Sequence, residues 1–464
     1  MGVPYASVSD LPRTVDVIVA GGGFIGSVVA SALAREGRRV AVVEAKPGAA
    51  HKRLAGELMH PAGVAILERL GLLGPLHGAG AIDVHGFAVF PGSSHEDPTL
   101  LRYDEIRGVP PRGLAIPHHV LVETLRERAA AATGVTWVHG RVEAPLVSQG
   151  RVFGARLAGR SGEPRDIYAT LLVVADGRHS RVRKALGLDP DEERISFSGG
   201  ATVPASALPV AGHGHIFLGA WGPVLAYPIS ATEARMVFDL PPDFSEGRRD
   251  RLAAHLREQY VPLLPAEFRP AVEAAIERPD QLQIAPNYRM AAERVWLPGA
   301  VLVGDACGCA HPMTAAGMTN GLNDVRHLLA GVDAYLDGGG RDDAPLRRYQ
   351  RDRRPFFETR ALLARALYEV FRSPEPGAGA LRGGVFRSWE ASPHFRRATL
   401  GLLGGDTTSP AVFAREYLRV VAGAMGRTVA APSGGRLRTL LDIGRHSVAH
   451  LDPASLGRLL RSGA

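Results

Sequence analysis

Cysteine is nearly absent: the 464 residues carry only 2, Cys307 and Cys309, separated by a single residue. They are too close for an unstrained bridge and too few for a zinc site, which excludes a disulfide-stapled scaffold and a structural zinc fold. No apolar run approaches the ~20 residues that a membrane-spanning helix needs. Residues 1–14 have neither the basic start nor the apolar stretch of a signal peptide. A strong charge of one sign is also missing, since 54 Lys+Arg stand against 47 Asp+Glu, a formal +7. That small excess comes without an aromatic-interleaved basic patch, so nucleic acid is not expected as a partner. A cytoplasmic protein remains, soluble or peripheral at a membrane. With 45% hydrophobic and 22% charged residues the composition is globular, and the length suits two or three domains.

What is present is most readable near the start. Val17–Ala20 has the length and β-branching of a buried parallel strand, and it runs into Gly21, Gly22, Gly23 and Gly26. Val28, Val29, Ala32 and Leu33 then recur at helical spacing until Gly37, and a second strand, Val40 to Val43, ends in Glu44. Each glycine has a physical task. Gly21 makes the tight turn, Gly23 lets backbone approach a pyrophosphate at the positive end of the helix, and Gly26 lets helix and strand pack closely. A carboxylate at Glu44 suits an adenosine ribose 2′-OH and would repel a 2′-phosphate. This predicts dinucleotide binding without deciding between NAD and FAD.

Two later segments repeat the strand-to-turn pattern. Leu171 to Ala175 leads into Asp176-Gly177 and a helix carrying Arg178, Arg181, Arg183 and Lys184. Val301–Val303 leads into Gly304-Asp305, a loop holding Pro312, and the small residues Ala315, Ala316 and Gly317. A carboxylate after a strand can cap backbone N–H groups or bind a ribityl hydroxyl. Small residues admit a flat ring, and the next helix start can stabilise negative charge on a reduced flavin.

Together these three motifs resemble those of class A flavoprotein monooxygenases. Four segments, Gly56–Gly63, Val173–Gly187, Tyr227–Pro241 and Gly304–Thr319, resemble the squalene monooxygenase family, as does the helical stretch Arg360–Phe371. The resemblance implies an α/β fold: a glutathione-reductase-like Rossmann FAD domain (1–86, 118–190, 285–340), interleaved with an α+β substrate domain (87–117, 191–284) built on a mixed or antiparallel sheet. A C-terminal helical region follows (341–464). The implied chemistry is attack of a C4a-hydroperoxyflavin, made from reduced FAD and O₂, on an electron-rich π bond, with no metal. NAD(P)H is the electron donor, directly or through a separate reductase, because no second G-x-G-x-x-G is present.

The resemblance also assigns residues. Gly21, Gly23, Phe24, Ile25, Gly26, Glu44 and Ala45 would hold the adenosine half of FAD, and Arg53 sits where the family has a basic residue near FAD, or is an exposed loop arginine. Asp176 would support the FAD fold and the reductant route. Gly304 and Asp305 would serve the ribityl–pyrophosphate region, with Pro312, Ala316, Gly317 and Met318 near the ring. Tyr227 lines the substrate cavity or packs in the core. Cys307 and Cys309 read as packing residues, with a redox or covalent-flavin role as the alternative, and His311 orients the loop or touches FAD. The departures are His60 for a usual glutamine, Ala310 for an arginine, Ala315-Ala316 for Gly-Gly, and Val120 where a family arginine falls near the flavin. As the one titratable group expected near substrate, His60 is the candidate acid/base catalyst, against a structural histidine, and it tilts the reading towards an aromatic ring. The expected function is epoxidation or hydroxylation of a lipophilic alkene or prenylated aromatic in specialised metabolism. A polyprenyl reductase that saturates double bonds is the alternative. The C-terminal helices either touch a membrane or cap the substrate tunnel.

Overall fold

The computed structural model describes residues 3–46, 48, 54–92, 97–159, 164–219, 221–244, 249–278, 281–430 and 435–450. Two eight-stranded sheets and a C-terminal helical cap organise them. The first sheet holds Tyr5–Ala6, Val135–Ser148, Val40–Glu44, Thr14–Ala20, Arg165–Val174, Ala300–Leu302 and Trp296–Leu297 in that spatial order. Its central strands are parallel, and their inward residues, such as Val17, Val42, Leu172 and Val301, are fully buried. Near-continuous apolar runs are what a parallel sheet covered on both faces requires. Arg151–Gly159 pairs antiparallel with both Val135–Ser148 and Arg165–Val174, an extension that the strand-turn-helix reading did not anticipate.

The second sheet is mixed. Its order is Gly308–Cys309, Gln283–Ala291, Glu192–Pro204, Glu233–Leu240, Val224–Pro228, Gly214–Phe217, Gly86–Phe90 and Thr99–Arg102, antiparallel except where Gly214–Phe217 meets Gly86–Phe90. The sheet runs past the expected boundary at 284: Gln283–Ala291 pairs with Glu192–Pro204 as far as Met290, with Pro286 and Asn287 inside the paired stretch and a register shift between Arg194 and Ser196. Gly308–Cys309 then joins its edge, so the loop after Gly304-Asp305 is itself part of the substrate sheet.

The expected helix after Asp176-Gly177 is short, Arg181–Ala185, with Arg178 in the turn before it. The described part of the C-terminal region is helical. Residues 376–404, although rich in glycine and bearing two prolines, form Pro376–Ala391 and Pro393–Gly404. Each proline occupies the first helical position, where its missing N–H costs nothing. Gly377 lies where two helices nearly touch: a Cβ there would stand 2.4 Å from the Asp442 Cβ. With the 29-residue helix Ala344–Arg372, these helices share one apolar core with the second sheet, including Phe87, Leu101, Phe371, Leu381, Trp389 and Leu403.

Candidate flavin and substrate site

Strand register places the three motifs side by side. Val43, Ala20, Val174 and Leu302 are register partners across four adjacent parallel strands. Glu44, Gly21, Asp176 and Gly304 therefore emerge along one carboxyl edge, the usual ligand side of such sheets.

The glycines at this edge have separable roles. Gly21 adopts φ +98°, and a Cβ there would stand 2.6 Å from the Ala175 carbonyl oxygen, so only glycine fits. A Cβ on Gly26 would collide with the Gly21 carbonyl. By contrast, Cβ atoms built on Gly23 and Gly317 would meet nothing within 4 Å. These two residues begin the helices Phe24–Arg35 and Gly317–Leu329, neither of which has a side-chain N-cap. Two positive helix ends thus face open space with backbone N–H groups to offer. A cleft of about 380 Å³ opens beside Ala45, Lys46 and His139, next to Glu44. Open space over two uncapped helix starts, a cleft beyond an acid-terminated strand and the exposed Asp305 carboxylate together fit FAD.

Glu44 is held before any ligand is considered. Its Oε2 accepts the Gly22 N–H at 2.8 Å, its Oε1 accepts the Lys46 N–H at 2.8 Å, and Arg126 Nη2 lies 3.2 Å away. With Oε2 facing both Gly22 and Arg126, Oε1 is the oxygen that keeps a further lone pair for a ribose hydroxyl. Arg126 also donates to the carbonyls of Gly22, Lys46 and Gly48 while almost fully buried. Sequence reading put the family's arginine position at Val120; the arginine that reaches the fingerprint is Arg126, further along the helix His118–Ala130. A signal was available: Arg126 occupies the buried face with Leu121, Val122, Leu125 and Ala129.

Asp176 is exposed, and its carboxylate accepts from Ser180 and from the backbone of Arg181 and Val182, so it caps the short helix. Phe24 is buried at the first position of its helix, Ile25 packs on Gly304, and Met318 packs on Gly56. Arg53 lies outside the described residues. Beneath the Gly304 turn, Asp324 Oδ2 accepts the Gly304 N–H at 3.0 Å, and its Oδ1 accepts from Arg353 Nε at 2.7 Å. This buried ion pair was not foreseen, because its partners lie on different helices. Cys307 is buried, with its thiol pushed far up by burial, and the Cys309 thiol, pushed up to about 12, donates to the Tyr288 carbonyl. Neither has the thiolate character that redox chemistry needs.

A narrow apolar cavity of about 20 Å³ lies between the second sheet and the cap, lined by Phe87, Leu101, Met313, Leu363, Phe371 and Trp389, among others. Its wall includes Thr314 of the turn Pro312–Thr314, immediately before Ala315, Ala316 and the open start of Gly317–Leu329. Tyr227 is buried in the surrounding core and does not line this cavity. His60 stands behind the wall. Its Nδ1 is 2.6 Å from the Tyr103 hydroxyl and its Nε2 is 2.6 Å from the Thr314 carbonyl oxygen. A carbonyl only accepts, so the proton sits on Nε2, and Nδ1 accepts from Tyr103. Complete burial pushes the imidazole down to about 4. It is neutral near pH 7, with both nitrogens occupied.

Known proteins agree with this geometry. The squalene epoxidase family profile matches residues 168–437. The chain is 31% identical to squalene epoxidase 3 of Arabidopsis thaliana over 91% of its own length and 81% of the relative's. It is 32% identical to a squalene epoxidase of Aspergillus fumigatus, covering 87% and 85%. Among solved structures, p-nitrophenol 4-monooxygenase from Pseudomonas putida superposes with a TM-score of 0.71 at 21% identity, over 84% of this chain and 98% of that one. Motif register, an FAD-shaped carboxyl edge and likeness along nearly the whole sequence converge: this chain belongs to the squalene epoxidase family and is an FAD-dependent monooxygenase.

Proposed function

We propose that the protein epoxidises a lipophilic alkene seated between the second sheet and the C-terminal cap. One observation carries the choice: the twelve residues lining the cavity include no titratable side chain, only apolar groups with Met313, Trp389, Thr314 and Thr399. Hydroxylating a phenol-like ring benefits from a base, whereas an isolated double bond needs little proton help. His60 was the feature that tilted the expectation towards an aromatic ring. With both nitrogens engaged and the ring neutral, it serves this reading better as a brace for the Thr314 carbonyl than as an acid or base.

The chemistry that FAD supplies when reduced and bound is delivery of one atom of O₂ to the double bond, the other leaving as water. The chain's residues do the rest. Gly21, Gly23, Gly26 and Glu44, with Ala45 beside the cleft, would receive the adenosine and pyrophosphate portion. Asp305 would take ribityl hydroxyls, and the N–H groups at Gly317 and Met318 would meet the ring edge. Met313 and the cap helices exclude water around the substrate. NAD(P)H supplies electrons directly or through a partner reductase.

The decisive experiment supplies squalene, NADPH and a flavoprotein reductase to the FAD-loaded chain and follows O₂ uptake and product mass. A product one oxygen heavier, formed only in air, supports the proposal. Anaerobic saturation of the double bond would establish a polyprenyl reductase instead.

A further inference from the structure

The long cap helix Ala344–Arg372 presents two adjacent faces. Leu363, Leu367 and Phe371, spaced four apart, line the apolar cavity. Tyr368 and Arg372, each one residue further on, meet a polar junction buried beneath it. The Tyr368 ring centre is 4.3 Å from that of His311, Arg372 Nη1 is 3.6 Å from Asp239 Oδ2, and Arg372 donates to the Tyr368 hydroxyl.

Asp239 belongs to strand Glu233–Leu240 of the second sheet. Its Oδ1 accepts from Ser196 Oγ at 2.7 Å and lies 3.1 Å from His311 Nε2, and Asn287 Nδ2 donates to the same Ser196 oxygen at 2.9 Å. Ser196, Asp239 and His311 are all buried. Although the trio has the composition of a hydrolytic triad, its protons are arranged otherwise. The Met313 N–H donates to His311 Nδ1 at 3.2 Å, so the imidazole proton sits on Nε2 and points at Asp239 and Ser196. A serine hydrolase needs the reverse, with Nε2 free to receive the serine proton. Here the ring is a fixed connector. One end holds the substrate sheet, and the other caps the turn Pro312–Thr314 that forms cavity wall and leads to the flavin-facing helix start.

We propose that His311 and Asp239 are positioning residues that carry the seating of the cap helix to the flavin-facing loop. The cavity holds roughly one water molecule, so a lipophilic chain must displace Leu363, Leu367 and Phe371. A helix is stiff over a single turn, so Tyr368 and Arg372 move with them. Asp239 Oδ2 is buried without a hydrogen-bond partner among the described residues, leaving the Arg372 ion pair as the contact that tightens or loosens. The inference rests on the flavin reading of residues 315–317.

The test uses the FAD-loaded full chain with squalene as probe, and reads two quantities. One is the change in the bound flavin's absorbance on squalene addition. The other is H₂O₂ released per NADPH oxidised, which reports two electrons and two protons passing from reduced flavin to O₂ without oxygen transfer. Arg372→Gln and His311→Gln should each keep FAD, shrink the absorbance change and raise the peroxide fraction about fivefold. The double variant should be no worse than the worse single variant, since both cut one connection. Tyr368→Phe, which keeps the ring contact and cannot endanger folding as the others can, should shift both readouts partway. Wild-type behaviour in the single variants, or additive effects in the double, would overturn the coupling. A wild-type chain that binds no FAD would overturn the flavin reading, and the coupling with it.

Discussion

Ala315 is held in the left-handed region, φ 49° and ψ 23°, between the cavity wall and the start of the flavin-facing helix. An L-residue with a Cβ pays about 1–2 kcal/mol for this, and a β-branched one more. Ala315 already bears that cost, so Ala315→Val, which adds the β-branch, should destabilise by about a further 1 kcal/mol. Ala315→Gly should stay within about 1 kcal/mol of the parent, because relief of strain is offset by unfolded-chain entropy and a lost methyl. Urea midpoints at constant m-value would show both. His60 makes a second prediction at this scale. Its folded pKa, about 4, lies below the usual 6.5, so its contribution is complete above pH 6.5 and is lost as pH falls from 6.5 to 4. That loss reaches about 3 kcal/mol. His60→Gln, which can still donate to Thr314 and accept from Tyr103, should flatten the fall in stability between pH 7 and pH 4.5. Buried His215, also near 4, leaves a residual slope of the same sign. A slope equal to the parent's would reject the neutral assignment.

The helix Pro376–Ala391 carries glycines of two kinds. Gly377 faces Asp442 and Ile443 of the helix Arg436–His450, while a Cβ at Gly379 would meet only the Arg382 guanidinium, at 4.0 Å. The same residue type thus serves packing at one site and merely weakens the helix at the other. Gly379→Ala should stabilise by about 1 kcal/mol. Gly377→Val should destabilise by about 2 kcal/mol through overpacking and expose Arg436–His450 to protease. Thermal melts with limited proteolysis would test the pair, and equal signs for the two changes would contradict the packing account.

For the molecule as a whole, the cap faces two ways. Its inner side closes the cavity, while Leu418, Val429, Leu437 and Leu441 stand exposed on the helices Pro410–Ala430 and Arg436–His450, with Arg436, Arg438 and Arg445 on the second of these. No described helix is long and apolar enough to cross a membrane. An amphipathic, basic surface suits contact with an anionic bilayer. The chain should sediment with phosphatidylserine vesicles and not with neutral ones, and Leu437→Ser combined with Leu441→Ser should weaken partition about tenfold. Unchanged sedimentation would remove the membrane from the account.

Sequence alone determined the order of motifs, the dinucleotide fingerprint with Glu44, and the strands that end at Asp176 and Gly304, because turn chemistry and apolar periodicity act over a few residues. It also marked His60 as the histidine nearest the chemistry. Only the tertiary structure decided what that histidine is. Its two nitrogens meet Tyr103 and Thr314, the latter 254 residues away, and those partners fix its proton and its charge. Arg126 on Gly22, Asp324 on Arg353 and His311 on Asp239 are of the same kind. Such pairings have no local signature, since a buried polar group is defined by whichever distant atoms satisfy it.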